Sequence, residues 1–541
     1  MRISLPFVFS LTLASLLGLS RSEAAPAAPV APKPALETGR YRNLFGELLG
    51  KTDAEVDRKI EAYWQSFANG NPETQRLLYP IHDDMAYIPD VGNRDVRSEG
   101  ISYGLMLCVQ TNHQKEFNQL WKFAKTYMYH PDGPMRGYFT WHTAYNGSMT
   151  RDDGSVITGD GPAPDGEEWV TMALFFAANR WGSGEGIFNY AAEAQALLHT
   201  MLHKEEFPDR GTQANMFHPT ARMVRFVPDN GGSANTDASY HLPHYYELWA
   251  RWASAPEDRA FLAEAAKVSR QLFVDVADKN TGLMPNQSPI PGIAPAGRRG
   301  GAGPGGGARR GGGAGAPALP DAPALTAQLQ LTPEQAAVIA PLLDAIARAQ
   351  VGLTTLQAAA NAATVNDRIM AVLNARQKME FVRATNANGG PGGNGGFAED
   401  AWRTLAWPAL DWSWWGADPR EFEQSNRVLK FLALQPVENW PYHFNLDGTP
   451  TIANDDSPGM HAMAAVAGLA ADPALARPFV QHLWDMPIPD DSDPKRDHTG
   501  AANFRAMGLE RSHRYYDGLL AFLAMLQVSG HFRIYAPPAA K

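Results

Sequence analysis

Helical periodicity recurs along almost the whole of this chain, while strand signals are scarce. That contrast constrains the fold more than any single motif. The spacing predicts twelve helices, at about 54–68, 98–110, 114–127, 166–181, 187–202, 238–252, 257–276, 401–416, 419–432, 459–471, 474–484 and 514–528. In 187–202, for example, Ile187, Tyr190, Ala191, Ala194, Leu197 and Leu198 follow the i, i+3, i+4, i+7 rule of a one-faced helix. Asp53 and Asp165 are expected N-caps. Long loops rich in Gly, Pro and Asp, such as Tyr129 to Pro164, separate the helices, and loops of that length in a compact domain usually carry function. Twelve helices in pairs with long loops at one mouth predict an all-α (α/α)6 toroid, with an irregular helical array as the alternative.

One region breaks the pattern. Gly297 to Gly315 holds eleven glycines in nineteen residues, and Gly389 to Gly396 holds six in eight. Between them an Ala-rich helical stretch opens at Thr332-Pro333-Glu334-Gln335, where Thr caps, Pro takes the first helical position and Gln closes a capping box. Residues 291–396 are therefore read as a Gly-flanked helical insertion dividing a catalytic domain into 40–290 and 397–537. At the front, Arg2, the apolar run Leu5 to Leu19 and small residues around Ala24 predict a signal peptide over 1–24, followed by an Ala/Pro-rich linker over 25–39, in which the stretch Ala24 to Pro34 is expected to have no packing role. The expected location is outside the cytoplasm, periplasmic or secreted, with no membrane contact in the mature form.

Composition narrows the chemistry. The net charge of -10 leaves no Lys/Arg surplus for phosphate neutralisation, which argues against nucleic acid as a partner. The single cysteine, Cys108, excludes an intramolecular disulfide and a Cys-based zinc site. The chain has no HExxH, no GxSxG and no phosphate loop ending in GKS or GKT. Fourteen tryptophans supply either a Trp-rich core or flat platforms for sugar rings.

Three acidic sites stand out. Glu99, in Asp95-Val96-Arg97-Ser98-Glu99-Gly100, lies at the start of a helix whose next residues are apolar. Desolvation there would raise its pKa toward that of a neutral-pH acid, while the helix N-terminus favours the anion, so the sign is open. Asp165 enters a second apolar helix from the loop Gly159 to Pro164 and is either a simple N-cap or functional. Asp411 sits among Trp407, Trp412, Trp414 and Trp415, where a carboxylate must be functional or paired, for instance with Arg403. Carboxyls on loops at one mouth of a helical toroid suit glycoside hydrolysis, which needs an acid for the leaving oxygen and a base or nucleophile opposite.

The run Asp95 to Gly104, DVRSEGISYG, resembles the acid-bearing signature of glycoside hydrolase family 8, and within it the reducing-end xylose-releasing exo-oligoxylanases. Further resembling blocks include Tyr41 to Phe45, Asp83 to Tyr87, Gly137 to His142, Pro162 to Trp169, Ala173 to Gly182, Ser239 to Pro243, Glu423 to Arg427 and Tyr515 to Leu520. The resemblance implies an (α/α)6 barrel and an inverting hydrolase releasing xylose from the reducing end of β-1,4-xylo-oligosaccharides. It implies Glu99 as general acid, Asp411 as general base and Asp165 as a sugar contact at the cleavage subsite. It further implies Tyr240 at the attacking water, Trp141 as a sugar platform and His461 on the terminal hydroxyl of the leaving xylose. No metal or other cofactor is expected, the substrate is the expected partner, and the protein is expected to act as a monomer. Rival expectations are an endo-acting xylanase, β-glucanase or chitosanase of the same family, and a noncatalytic sugar-binding or chaperone-like envelope protein.

Overall fold

In the computed structural model the described residues are 31–229, 231–293, 331–349, 396–435, 440–441, 443–452, 457–491 and 514–537. Every predicted helix is found among them. In chain order they are α1 (Asp53–Asn69), α2 (Ser98–Thr111), α3 (Gln114–Phe123), α4 (Pro164–Trp181), α5 (Tyr190–Leu202) and α6 (Pro243–Trp252). There follow α7 (Pro256–Val276), α8 (Trp407–Trp415), α9 (Pro419–Leu432), α10 (Pro458–Ala467), α11 (Pro473–Asp485) and α12 (Tyr516–Val528).

Residue type sorts these helices into two layers. In α2, α4, α10 and α12 nearly every side chain is buried, as expected of helices surrounded by protein. In α1, α3 and α9 burial is confined to one stripe. Each buried helix pairs with an amphipathic neighbour: α2 with α3, α4 with α5, α6 with α7, α8 with α9, α10 with α11 and α12 with α1. The inner helices meet in turn, α2 on α4, α6 on α8, α8 on α10, α10 on α12, and α12 back on α2. Between α4 and α6 the ring is joined by a hydrogen bond from the Tyr246 hydroxyl to Glu168 (2.5 Å) and by edge contact of Trp169 with Tyr245. The result is the (α/α)6 toroid. Strands are two or three residues long and belong to the connecting loops. No described helix is long and apolar enough to cross a membrane.

Several local expectations change. The cap of α1 is Thr52, which closes a capping box with Glu55, so Asp53 is the first helical residue. Asp165 likewise lies inside the first turn of α4, behind Ala163 and Pro164, and caps nothing. The helices expected over 238–252 and 401–416 each divide into a short 3-10 turn, Ala238–Tyr240 or Glu399–Leu405, and an α-helix beginning at Pro243 or just before Pro408. Proline lacks the N–H that a continuing helix needs, so it is accommodated where a new helix starts. The linker also proves structural where it is described. Ala35–Thr38 forms a helical turn with Ala35 1% exposed, packed against α8.

The expected export segment and both glycine tracts, apart from Gly396, lie outside the described residues. Within the insertion, Pro333–Ala349 is helical, and Thr332 and Gln335 exchange the expected capping-box bonds. At its edges the Asn286 N–H donates to the Gly396 carbonyl (3.0 Å), so the chain leaves and re-enters the toroid at neighbouring points.

Candidate active site

Arg403 organises the site. It is 1% exposed and lies in the 3-10 segment Glu399–Leu405. Its Nη1 donates to Glu99 Oε2 (3.1 Å), Asp165 Oδ2 (3.0 Å) and the Tyr103 hydroxyl (2.7 Å). Its Nη2 donates to Ser239 Oγ (2.9 Å) and lies 3.4 Å from Asp400 Oδ1. One guanidinium thus ties together the starts of α2 and α4 and the loop before α6, using the planar fork that suits arginine to several oxygens at once. Glycines permit this closeness: a Cβ on Gly100 would lie 2.7 Å from the Tyr515 ring, and one on Gly166 would lie 2.5 Å from Ser98 Oγ.

The cluster is over-supplied with acid. Glu99, Asp165, Asp237 and Asp400 surround Arg403. Burial pushes the Glu99 carboxyl up to about 8; Asp165 and Asp400 add to the rise, and Arg403 and Arg97 oppose it. Desolvation thus outweighs the two arginines that favour the anion. Asp165 is raised for the same first reason, and Asp237 is raised to about 8 by burial and by Asp400. Access distinguishes the members. The Glu99 side chain keeps 16% exposure and Asp400 keeps 40%, whereas Asp165 keeps 7%.

Two further expected residues join this group. Trp141 is half-buried beside Glu99, its carbonyl accepting from the Ser98 N–H (2.9 Å), with its ring stacked on His142 and the Arg97 guanidinium 5.3 Å from its centre. Arg97 is itself held by Asp90 and Asp95, each at 3.1 Å. Tyr240 places its ring 5.5 Å from the Arg403 guanidinium carbon and stacks on Phe226.

The other two do not join it. Asp411 is fully buried in α8, and its two oxygens accept from Arg270 of α7 at 2.6 and 3.0 Å. Arg270 also donates to Glu247 (2.9 Å), and burial together with the neighbouring Asp411 raises the pKa of Glu421. The partner of Asp411 is therefore Arg270 rather than Arg403. His461 is 2% exposed; its ring stacks on Trp440 (4.1 Å) and lies 4.3 Å from that of His482 in α11. His482 belongs to outer helix α11. The residues missed from sequence are Asp400, Arg403 in its actual role, and Asp237. The available signal was Asp400-Ala401-Trp402-Arg403, an acid and a base three apart directly after the insertion.

The cluster has the parts of an acid–base glycosidase: a carboxyl whose pKa burial raises and a second, more exposed carboxyl, with an aromatic ring alongside. The profile of glycosyl hydrolases family 8 matches residues 88–289. The reducing-end xylose-releasing exo-oligoxylanase Rex8A of Paenibacillus barcinonensis is 31% identical over 93% of this chain and 99% of its own length. A reducing end xylose-releasing exo-oligoxylanase of Halalkalibacterium halodurans is 30% identical over 93% of this chain and 96% of its own. A Rex8A mutant complexed with an arabinofuranosyl-xylotetraose superposes with a TM-score of 0.66 at 30% identity, over 94% of this chain and all of that one. The protein is a glycoside hydrolase built on an (α/α)6 toroid. It belongs to glycosyl hydrolases family 8.

Proposed function

We propose that this enzyme is an inverting hydrolase that releases xylose from the reducing end of β-1,4-xylo-oligosaccharides, with Glu99 as general acid and Asp400 as general base. The observation that carries the reading is the unequal state and access of the carboxyls around Arg403. Glu99 holds its proton to about pH 8 and remains partly exposed, and Asp400 is the most exposed of the set. Glu99 gives its proton to the leaving glycosidic oxygen. Asp400 takes one from a water attacking the anomeric carbon from the other face, and solvent restores both. Asp165, immobilised by Arg403 and by the Gly166 N–H (3.0 Å), contacts the sugar at the cleavage point. Tyr240 steadies the water, and Trp141 carries a sugar ring. Xylose and xylo-oligosaccharides enter the proposal because the relatives' names and the bound arabinosylated xylotetraose point to them. The closure of the cleft beyond one xylose is assigned to loops at its mouth, not to His461. The apolar run after Arg2 supports export of the enzyme.

The test uses xylotetraose labelled with ¹⁸O at its reducing end. Label appearing first in monomeric xylose, together with α-anomeric early products by NMR, is the expected result. Label mainly in xylobiose would replace the exo reading with an endo one, and β-anomeric early products would overturn inversion.

A further inference from the structure

A second cluster of ligating side chains lies away from the carboxyls that surround Arg403. His199, in the last turn of α5, and His203, its C-cap, stand four residues apart, so their rings share one face, with centres 4.7 Å apart. From the first turn of α7, Asp258 reaches the same point, its Oδ1 2.6 Å from His203 Nε2. One ligating atom from each of these three residues lies within 4.8 Å of the others. Glu206 completes the group, with Oε2 2.9 Å from His199 Nε2 and Oε1 3.9 Å from His203 Nδ1. Glu205 lies 3.5 Å from His203 Nδ1.

From this we propose a divalent transition-metal site, of the zinc class, formed by His199, His203 and Asp258 with water in the fourth position. Two imidazoles and carboxylate oxygens are a borderline-soft donor set; zinc takes it readily, whereas calcium and magnesium prefer oxygen alone. Charge supports a cation. Asp258, Glu205 and Glu206 bring three carboxyl groups to the two imidazoles, and the C-terminal end of α5 adds the negative pole of a helix. Asp258 is 5% exposed, so one wall of the site is dry and rigid, while His199 keeps 45% side-chain exposure and leaves a path for entry. The present contacts, His203 on Asp258 and His199 on Glu206, are those that a metal displaces when it takes the place of the bridging protons. Bound there, the ion joins outer helix α5 to outer helix α7. It takes no part in the hydrolysis assigned to Glu99 and Asp400.

Untagged full-length enzyme, stripped with chelator, is titrated with zinc chloride by calorimetry and followed by thermal melting. The expected result is one zinc per chain, a rise in Tm of roughly 2 °C at saturating zinc, and unchanged hydrolysis after chelation. His199→Ala, at the exposed edge, and Asp258→Asn are each expected to weaken zinc binding at least tenfold. Failure of the wild type to take up zinc overturns the proposal. So does uptake that stays within twofold in His199→Ala, which would place the ion elsewhere. If His203→Ala lowers Tm while the wild type binds no zinc, the cluster is a structural ion pair and the metal site is rejected.

Discussion

Two buried arginines each gather carboxylates in this toroid, and the comparison between them separates chemistry from architecture. Arg270 binds both oxygens of Asp411, at 2.6 and 3.0 Å, in a pocket where that aspartate is 0% exposed. Arg403 spreads its nitrogens over Glu99, Asp165 and Asp400 and gives none of them a bidentate partner. The first cation holds one aspartate in a bidentate pair closed to solvent, with Glu247 on its remaining nitrogen. The second is outnumbered, so at least one acid must keep its proton, and two of the acids remain open to a substrate. A carboxylate in an apolar setting must be paired or functional, and only the geometry of its partner says which.

Exchanging the two presumed bases gives the sharpest test of that contrast. Glu99→Gln and Asp400→Asn are each expected to lower kcat by roughly 10²–10⁴-fold, the usual worth of a general acid or base, with little change in Tm. Asp411→Asn is expected to do the reverse. It breaks the bidentate pair and leaves buried Arg270 with Glu247 alone, a loss of up to roughly 3–5 kcal/mol for a broken buried pair, yet the folded fraction should turn over substrate at more than a tenth of the wild-type rate. Steady-state kinetics beside thermal melts distinguish the cases. If Asp411→Asn is inactive and fully stable, the roles given to the two clusters are interchanged.

The contrast also explains what could be read from sequence. Glu99 and Asp165 were legible because each follows a turn-rich loop and opens a helix with apolar residues behind it, an arrangement local enough to see in the chain. The twelve helices were legible for the same reason. Asp400 was not, because it sits in an irregular segment after a glycine tract, and its importance comes from Arg403, 304 positions from Glu99. Asp411 attracted attention through its tryptophan neighbours, but its partner Arg270 lies 141 residues earlier, across the insertion. Pairing at that distance is set by the closure of the ring, which periodicity does not encode. His461 was placed by a short match, and its stacking on Trp440 depends on how α10 meets the outer layer.

The protonation of Glu99 gives the next effect in size. Its folded pKa of about 8 lies above the ordinary 4.5. The acid is competent while protonated, so kcat/KM is expected to fall as pH rises through about 8. Asp165→Asn removes one charge that raises this pKa and frees Arg403 to lower it, so the alkaline limb of the residual activity should move to lower pH. Stability carries the same sign. Between pH 4.5 and 8 the unfolded chain ionises this carboxyl and the folded one does not, so wild-type stability declines across that window and the loss saturates above it. Glu99→Gln removes that decline, and its Tm advantage over wild type should widen from pH 4.5 to 8. A constant Tm difference would mean that Glu99 is ionised at neutral pH and that the Arg403 cluster resembles the Arg270 one.

Trp141 tests the exposed side of the comparison more gently. Its backbone is fixed by Ser98 and its ring backed by His142, so Trp141→Ala should leave Glu99 in place while removing a surface for a sugar. A rise in KM of about tenfold, equivalent to about 1.4 kcal/mol, with kcat changed less than threefold, is the expected signature. Equal loss in kcat would show that the ring shapes the transition state rather than only holding a sugar.

The smallest effect is expected from the largest deletion. Residues 286 and 396 are already bridged by a backbone hydrogen bond of 3.0 Å, and the Ala401 N–H donates to Asn286 Oδ1 at 3.0 Å, so the borders of the insertion are fixed by the toroid itself. Among the described residues none of the hydrogen bonds that hold Asp400 or Arg403 comes from 331–349, and loop closure depends only weakly on loop length, so removing 300–390 and closing the gap with a short Gly/Ser linker is a mild change. The truncated enzyme should melt within a few degrees of the full chain and cleave xylotetraose within about twofold of its rate. The same border also carries the one route by which the insertion could matter, because Asn286 holds the start of the Glu399–Leu405 segment. If deletion leaves Tm unchanged but lowers kcat as Asp400→Asn does, the insertion steadies that segment from outside, and the Arg403 cluster depends on a part of the chain that the Arg270 cluster does not need.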